Sequence, residues 1–173
     1  RVKSYRISKY SIFDLYEQKQ LTREHHNLKE EENQLLNRLQ KCIDVVFPEF
    51  NSLFKSKYGI VYMNILKEFG SADAIAHADI RTLRKCFDTG RGKHISLTAE
   101  ELKEAARNSI GFPSSSEATQ IKYLVARIEL IKEQIAEIDK KIEEFSIQNN
   151  SPILSIPGIS HFSGTSILAE LGD

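Results

Sequence analysis

Tryptophan is absent from this 173-residue sequence, and cysteine, proline and glycine are scarce: two, four and eight residues. So few turn formers in this length argue against an all-β fold and for a small number of long elements. Cys42 and Cys86 stand alone, without a CxxC or Cys/His spacing, which argues against a structural zinc site. Two lone thiols fit a reduced, cytoplasmic protein. No apolar run approaches the roughly 20 residues of a membrane span, and no signal peptide opens the chain. Charge of one sign is also missing: 24 Lys and Arg balance 24 Asp and Glu. That excludes a histone-like polycation and an acidic disordered tail.

What is present is hydrophobic periodicity. From Ser11 to Val46 the chain has neither glycine nor proline, and Leu21, Leu28 and Leu35 recur every seven residues, followed by Leu39 and Val46. This is one seam of a coiled coil, with polar Gln18, His25 and Glu32 at its alternate positions. His25 and His26 are adjacent and project about 100° apart on a helix, a poor chelate. Phe47-Pro48-Glu49 ends the helix. A second seam is regular throughout: Ile121, Leu124, Ile128, Ile131, Ile135, Ile138, Ile142 and Phe145. Such a stripe requires a partner helix. A parallel homodimer would set Arg127 against Lys132, and isoleucine at both seam positions disfavours two parallel strands. The expected arrangement is therefore all-α: a long antiparallel coiled-coil hairpin of 11–49 and 114–148, with a small helical lobe, 50–112, inserted at one end. Two hairpins could pack as a homodimer.

Within the lobe, Ser71 and Asp79 are placed as caps of short helices, the second with Ile80, Leu83 and Phe87 on one face. Thr98 and Glu101 form a capping box that starts a helix to about Ser109. Gly111 and Pro113 stop it.

Basic residues cluster twice. The lead-in 1–10 holds Arg1, Lys3 and Arg6 without an acid, and Arg81–Lys93 holds five basic residues, among them Arg84, Lys85, Arg91 and Lys93, against Asp88. Either patch reads as a solvated face or as a phosphate contact.

After Asn149-Asn150-Ser151-Pro152 comes ILSIPGISHFSGTSILAELGD, residues 153–173, which has the pattern of a helix-hairpin-helix element. Gly158 suits a turn needing positive φ, and backbone amides at the start of the following helix could hold a phosphate. Ser160 stands where such hairpins carry a second glycine. Gly164 is small where the two limbs would cross, and Gly158, Ser160, Gly164 and Thr165 are the residues of this turn expected to contact nucleic acid. A packing hairpin without a nucleic-acid role is the alternative.

The order of these pieces is more specific than any one of them: a leucine-rich helix ending in VFPEF, AARNSIG before a heptad helix, and LSIPGIS...SILAELGD at the close. This order resembles the bridge-RNA-guided DEDD transposases of the insertion-sequence one-ten type, relatives of the Piv invertases, over nearly the whole chain. Ile153 to Ile159 match the opening of that family's second transposase domain, so 151–173 would be its start. Ala169 to Asp173 match the end of its first helical unit. Ser160 departs from the usual glycine.

The resemblance implies a bacterial or archaeal parent enzyme that recombines DNA with a guide RNA, using magnesium held by four acids of a RuvC-like domain and a nucleophilic serine later in the second domain. This chain, which begins at Arg1 and ends at Asp173, would be an internal piece between those parts. It would carry no catalytic residue, no metal and no cofactor of its own, and would serve assembly. The acids agree: Glu30-Glu31-Glu32 and Glu143-Glu144 point apart on helix faces, as solvated runs do.

Overall fold

The computed structural model describes residues 11–88, 96–149 and 152–171. The fold is all-α, with no strand among the described residues. The helices are α1 (Ile12–Val46), α2 (Ile60–Glu68), α3 (Ala72–His77), α4 (Ile80–Phe87), α5 (Ala99–Arg107), α6 (Ser115–Asn149) and α7 (His161–Leu171), with 3-10 turns at Phe50–Leu53 and Pro152–Ser155. The chain forms two compact units, each taking part of both long helices. The first comprises the described residues of Arg1–Glu32 and Ile131–Asp173, the second those of Asn33–Leu130.

In the second unit, Leu35, Leu39, Ile43 and Val46 of α1 and Ile121, Leu124, Val125 and Ile128 of α6 are buried. The lobe adds Ile65, Ile75, Leu83 and Leu102, and each such side chain contributes about 1.5–3 kcal/mol when fully buried. Local chemistry fixes where its helices begin. Ser71 Oγ accepts from the Ala74 amide at 3.2 Å, Asp79 Oδ1 from Arg81 at 2.7 Å, and the Thr98–Glu101 capping box is complete. On α4 the buried residues are Leu83 and Cys86, while Ile80 and Phe87 are only half-buried. The buried face is thus an i, i+3 pair rather than the triad expected from the sequence.

Beyond Pro48 the chain makes an aromatic cluster. Phe50 packs between Phe47, Phe54 and Tyr62 with ring centroids 4.8–5.3 Å apart, and the buried Tyr62 hydroxyl donates to Asn51 Oδ1 at 2.8 Å. Burial, with Tyr58 and Asp44 nearby, pushes the Tyr62 phenol well above its ordinary range.

The segment 109–112 closes the end of α1. The Phe112 amide donates to the Val45 carbonyl at 2.8 Å, satisfying one of the carbonyls that a helix end leaves open. The Glu49 carboxylate accepts from Ser109 Oγ at 2.7 Å and from the Ile110 amide at 3.0 Å. Burial alone would raise the Glu49 pKa, but the Ile110 amide and Ser109 hydroxyl outweigh it and hold the acid below its ordinary value. A carboxyl lowered on folding adds stability above its unfolded pKa and loses it as pH falls through the folded value. Thermal melts of Glu49→Gln and of the native chain should therefore differ by about 1 kcal/mol at neutral pH. The difference should shrink below about pH 4. A constant difference across that range would contradict the clamp.

In the first unit Ile131, Ile135, Ile138 and Ile142 of α6 are buried with Gln18, Thr22, Leu28 and Glu32 of α1. Glu32 faces Lys132 at 3.9 Å and His25 faces Asp139 at 3.2 Å, so residue numbers rise along one helix as they fall along the other. Two seam positions differ from the expected pattern. Near the end of α6 Ser146 is buried and Phe145 only half-buried. Thr22 is buried and Leu21 only half-buried. Thr22 accommodates this by donating its hydroxyl to the Lys19 carbonyl at 3.1 Å, one turn back in its own helix. Of the polar seam residues, Glu32 also pairs with Lys29 at 3.2 Å, whereas Gln18 Oε1 is buried without a partner.

Candidate nucleic-acid interface

The residues singled out as phosphate contacts fall into three groups. Arg1, Lys3, Arg6, Arg91 and Lys93 lie outside the described residues. Arg84 and Lys85 sit on the exposed face of α4 in the second unit, while Gly158, Ser160, Gly164 and Thr165 belong to the first.

The turn before α7 is built as its sequence requires. The Ile159 amide donates to the Ile156 carbonyl at 3.2 Å, closing a four-residue turn with Pro157 second and Gly158 third. Gly158 has φ +90°, the geometry of a type II turn. A Cβ at Gly158 would meet nothing within 4 Å, so the backbone conformation alone, not crowding, calls for glycine. The limb before the turn is a single 3-10 turn, Pro152–Ser155, rather than an α-helix. After it, Ser160 caps α7: its Oγ accepts from the Ser163 amide at 3.1 Å and lies 3.0 Å from Ser163 Oγ. One amide that a phosphate would use is thus already taken by the side chain standing where the hairpin's second glycine is expected. Gly164 and Thr165 are buried and face protein.

Arg84 is paired. Its Nε donates to Glu100 Oε1 at 2.9 Å, and the Arg84 hydrogen bond is the main reason the Glu100 carboxyl is held below its ordinary value. Both side chains are more than half exposed, and such surface pairs add little net stability and exchange readily for another anion. Lys67 is likewise paired, with Glu129 at 2.6 Å.

Several contacts of α7 have no local sequence signal. Glu170 holds Lys19 at 2.6 Å and Arg23 at 3.1 Å, His161 Nδ1 lies 2.9 Å from Ser146 Oγ, and the Phe162 ring sits 4.3 Å from that of His25 and 5.6 Å from that of His26. Partners so far apart in sequence are set by the fold, not by any local spacing.

Cys42 and Cys86 are free thiols whose pKa values burial pushes up, away from the reactive thiolate. Among the described residues, no three His, Cys, Asp or Glu side chains converge as a metal site requires, and no helix is long and apolar enough to cross a membrane. In the second unit a groove of about 530 Å³ runs between Arg38, Gln120, Leu124, Ala126 and Arg127, beside the 69% exposed Tyr123. Leu130, 55% exposed, follows Tyr123 by one heptad.

Compared with models of known protein families and with curated proteins, the chain matches neither.

Proposed function

We propose that this chain is the non-catalytic middle region of a DNA recombinase resembling the DEDD transposases of the insertion-sequence one-ten type, assembling subunits and making auxiliary contacts to nucleic acid. The observation that carries the reading is the Pro157-Gly158 turn and the Ser160-capped α7. They stand where the resemblance places the opening of the second transposase domain. A heptad pair of helices bearing an outward apolar stripe, Tyr123 and Leu130, supports the assembly half through a second copy of the chain. Magnesium and the nucleophilic serine would belong to other parts of the parent enzyme, and no chemical step falls to the residues here.

One observation favours a scaffold without nucleic acid: the charge of Arg84 is matched by Glu100, in a chain whose net charge is zero. The two readings separate by binding. Labelled duplex DNA and structured RNA should bind at low salt, with affinity falling by roughly 0.9 log units per phosphate contact for each tenfold rise in salt. Reversing the charges of Arg84, Lys85, Arg91 and Lys93 should weaken binding and flatten that slope. No binding at low salt, or affinity unchanged by the reversal, would leave the scaffold.

A further inference from the structure

We propose that α7 is a pH-responsive latch: a proton on His25 releases α7 from the portions of α1 and α6 against which it packs in the first unit. This inference is independent of the reading of function above.

The helix is docked with its small residues inward. Gly164, Thr165 and Ala169 are buried, while Ile167 and Leu171 are 39% and 82% exposed. Of its large apolar side chains only Phe162 and Leu168 are half-buried, and the contacts of His161, Phe162 and Glu170 add to what holds the helix. Phe162 covers His25, whose side chain is only 13% exposed. His25 Nε2 lies 3.2 Å from Asp139 Oδ1, so that carboxylate favours the neutral ring's hydrogen on Nε2 rather than on Nδ1. Nδ1 is buried and has no partner. As a bare lone pair it is tolerated. Protonated, it becomes a buried N–H without an acceptor, which is costly.

The groups around the ring oppose one another. Burial disfavours the imidazolium most, Asp139 of α6 favours it, and Lys29 and His26 of α1 disfavour it, and the net shift is downward. From α7 the titratable side chains are His161 and Glu170. Lys19 and Arg23 hold the Glu170 carboxyl below its ordinary value, so it stays ionised through the range in which histidine titrates. The His161 contact is to a hydroxyl, which pairs with the ring in either protonation state.

Undocking α7 uncovers His25 and relieves the burial that holds its pKa down, so the open state takes up the proton more readily. A histidine whose pKa is lower when docked leaves docking at full strength above its open-state pKa. Docking then weakens as pH falls from there through the docked value.

Hydrogen exchange of the amides of 161–171 in the full chain, corrected for intrinsic chemistry, reads the opening directly at about pH 8 and about pH 5. The expected result is an opening constant that rises toward acid by up to about tenfold per pH unit, while amides in the middle of α1 and α6 keep their protection. His25→Phe keeps a ring under Phe162 without a proton and should abolish the dependence. If it disturbs folding by circular dichroism, His25→Leu makes the same test. His161→Gln should leave the dependence in place. Equal opening of the native chain at both pH values would overturn the latch. So would a dependence that survives loss of the His25 imidazole or disappears with His161.

Discussion

Aspartate in place of Ile131 is expected to cost the chain about 3–5 kcal/mol, a large share of the stability of any domain of this size. Ile131 is 5% exposed and begins the first unit's share of the α6 stripe, followed inward by Ile135, Ile138 and Ile142. A carboxylate there must be desolvated without a partner, or neutralised at the cost of a raised pKa. The polar seam residues of the unit show what such a site needs. Glu32 is tolerated because Lys29 and Lys132 face it, and Ile131 has no such provision. Because the seam is also what holds the two helix portions together, the far-ultraviolet helical signal and any self-association should fall with the free energy. Ile131→Leu, which conserves volume, should cost under about 1.5 kcal/mol. A variant aspartate chain that keeps its helicity, mass and melting temperature would show that the stripe is not the buried face.

Alanine at Gly111 should be nearly as damaging, through crowding rather than charge. A Cβ at this position would lie 2.3 Å from the Val46 carbonyl oxygen and 2.5 Å from its carbon, closer than real Cβ atoms come to anything. The obstacle is backbone at the end of α1, which has no flexible tip to move aside. Nor can the segment carrying Gly111 easily retreat, because the Phe112–Val45 hydrogen bond and the two bonds to Glu49 pin it on either side. The substitution must therefore break that closure or distort it, at a cost of about 3 kcal/mol. The readout is a melting temperature about 6–12 °C below that of the native chain. Gly158→Ala makes a useful contrast. It strains a turn at positive φ but meets no atom within 4 Å, so its cost should be nearer 1 kcal/mol. Equal melting of Gly111→Ala and native chains would mean that the 109–112 segment does not pack on α1 as described.

These two positions also mark how much the sequence reveals. Heptad spacing locates the buried stripe of α6, including Ile131, because a helix repeats its faces at fixed intervals and a coiled-coil stripe has one way to hide. The caps Ser71, Asp79 and the Thr98–Glu101 box mark helix starts for the same kind of reason: donor and acceptor lie within a few residues. Gly158 is legible because a Pro-Gly turn needs a particular backbone angle. Gly111, by contrast, reads only as a helix stop. Its contact with Val46, and that of Glu49 with Ser109, are set by which segment the fold lays across the end of α1.

The candidate site divides in the same way. The glycine turn and the exposed basic positions on α4 follow from residue type. The pairing of Arg84 with Glu100, the capping role of Ser160 and the inward face of α7 depend on neighbours that no local spacing specifies. Thr22 taking the seam position next to Leu21 belongs with these. A threonine that satisfies its own hydroxyl within the helix can take a buried position beside leucine.

Assembly is the central claim, and solution mass by light scattering across a concentration series tests it most directly. The account predicts a mass near twice the 19.8 kDa of one chain, the closed two-fold dimer expected when an outward heptad stripe is covered by a second copy. Substituting Tyr123 and Leu130 with glutamate should return it to one chain mass without loss of helicity. A mass that stays at 19.8 kDa at every concentration would contradict it, and would leave Tyr123 and Leu130 as surface residues without a partner copy.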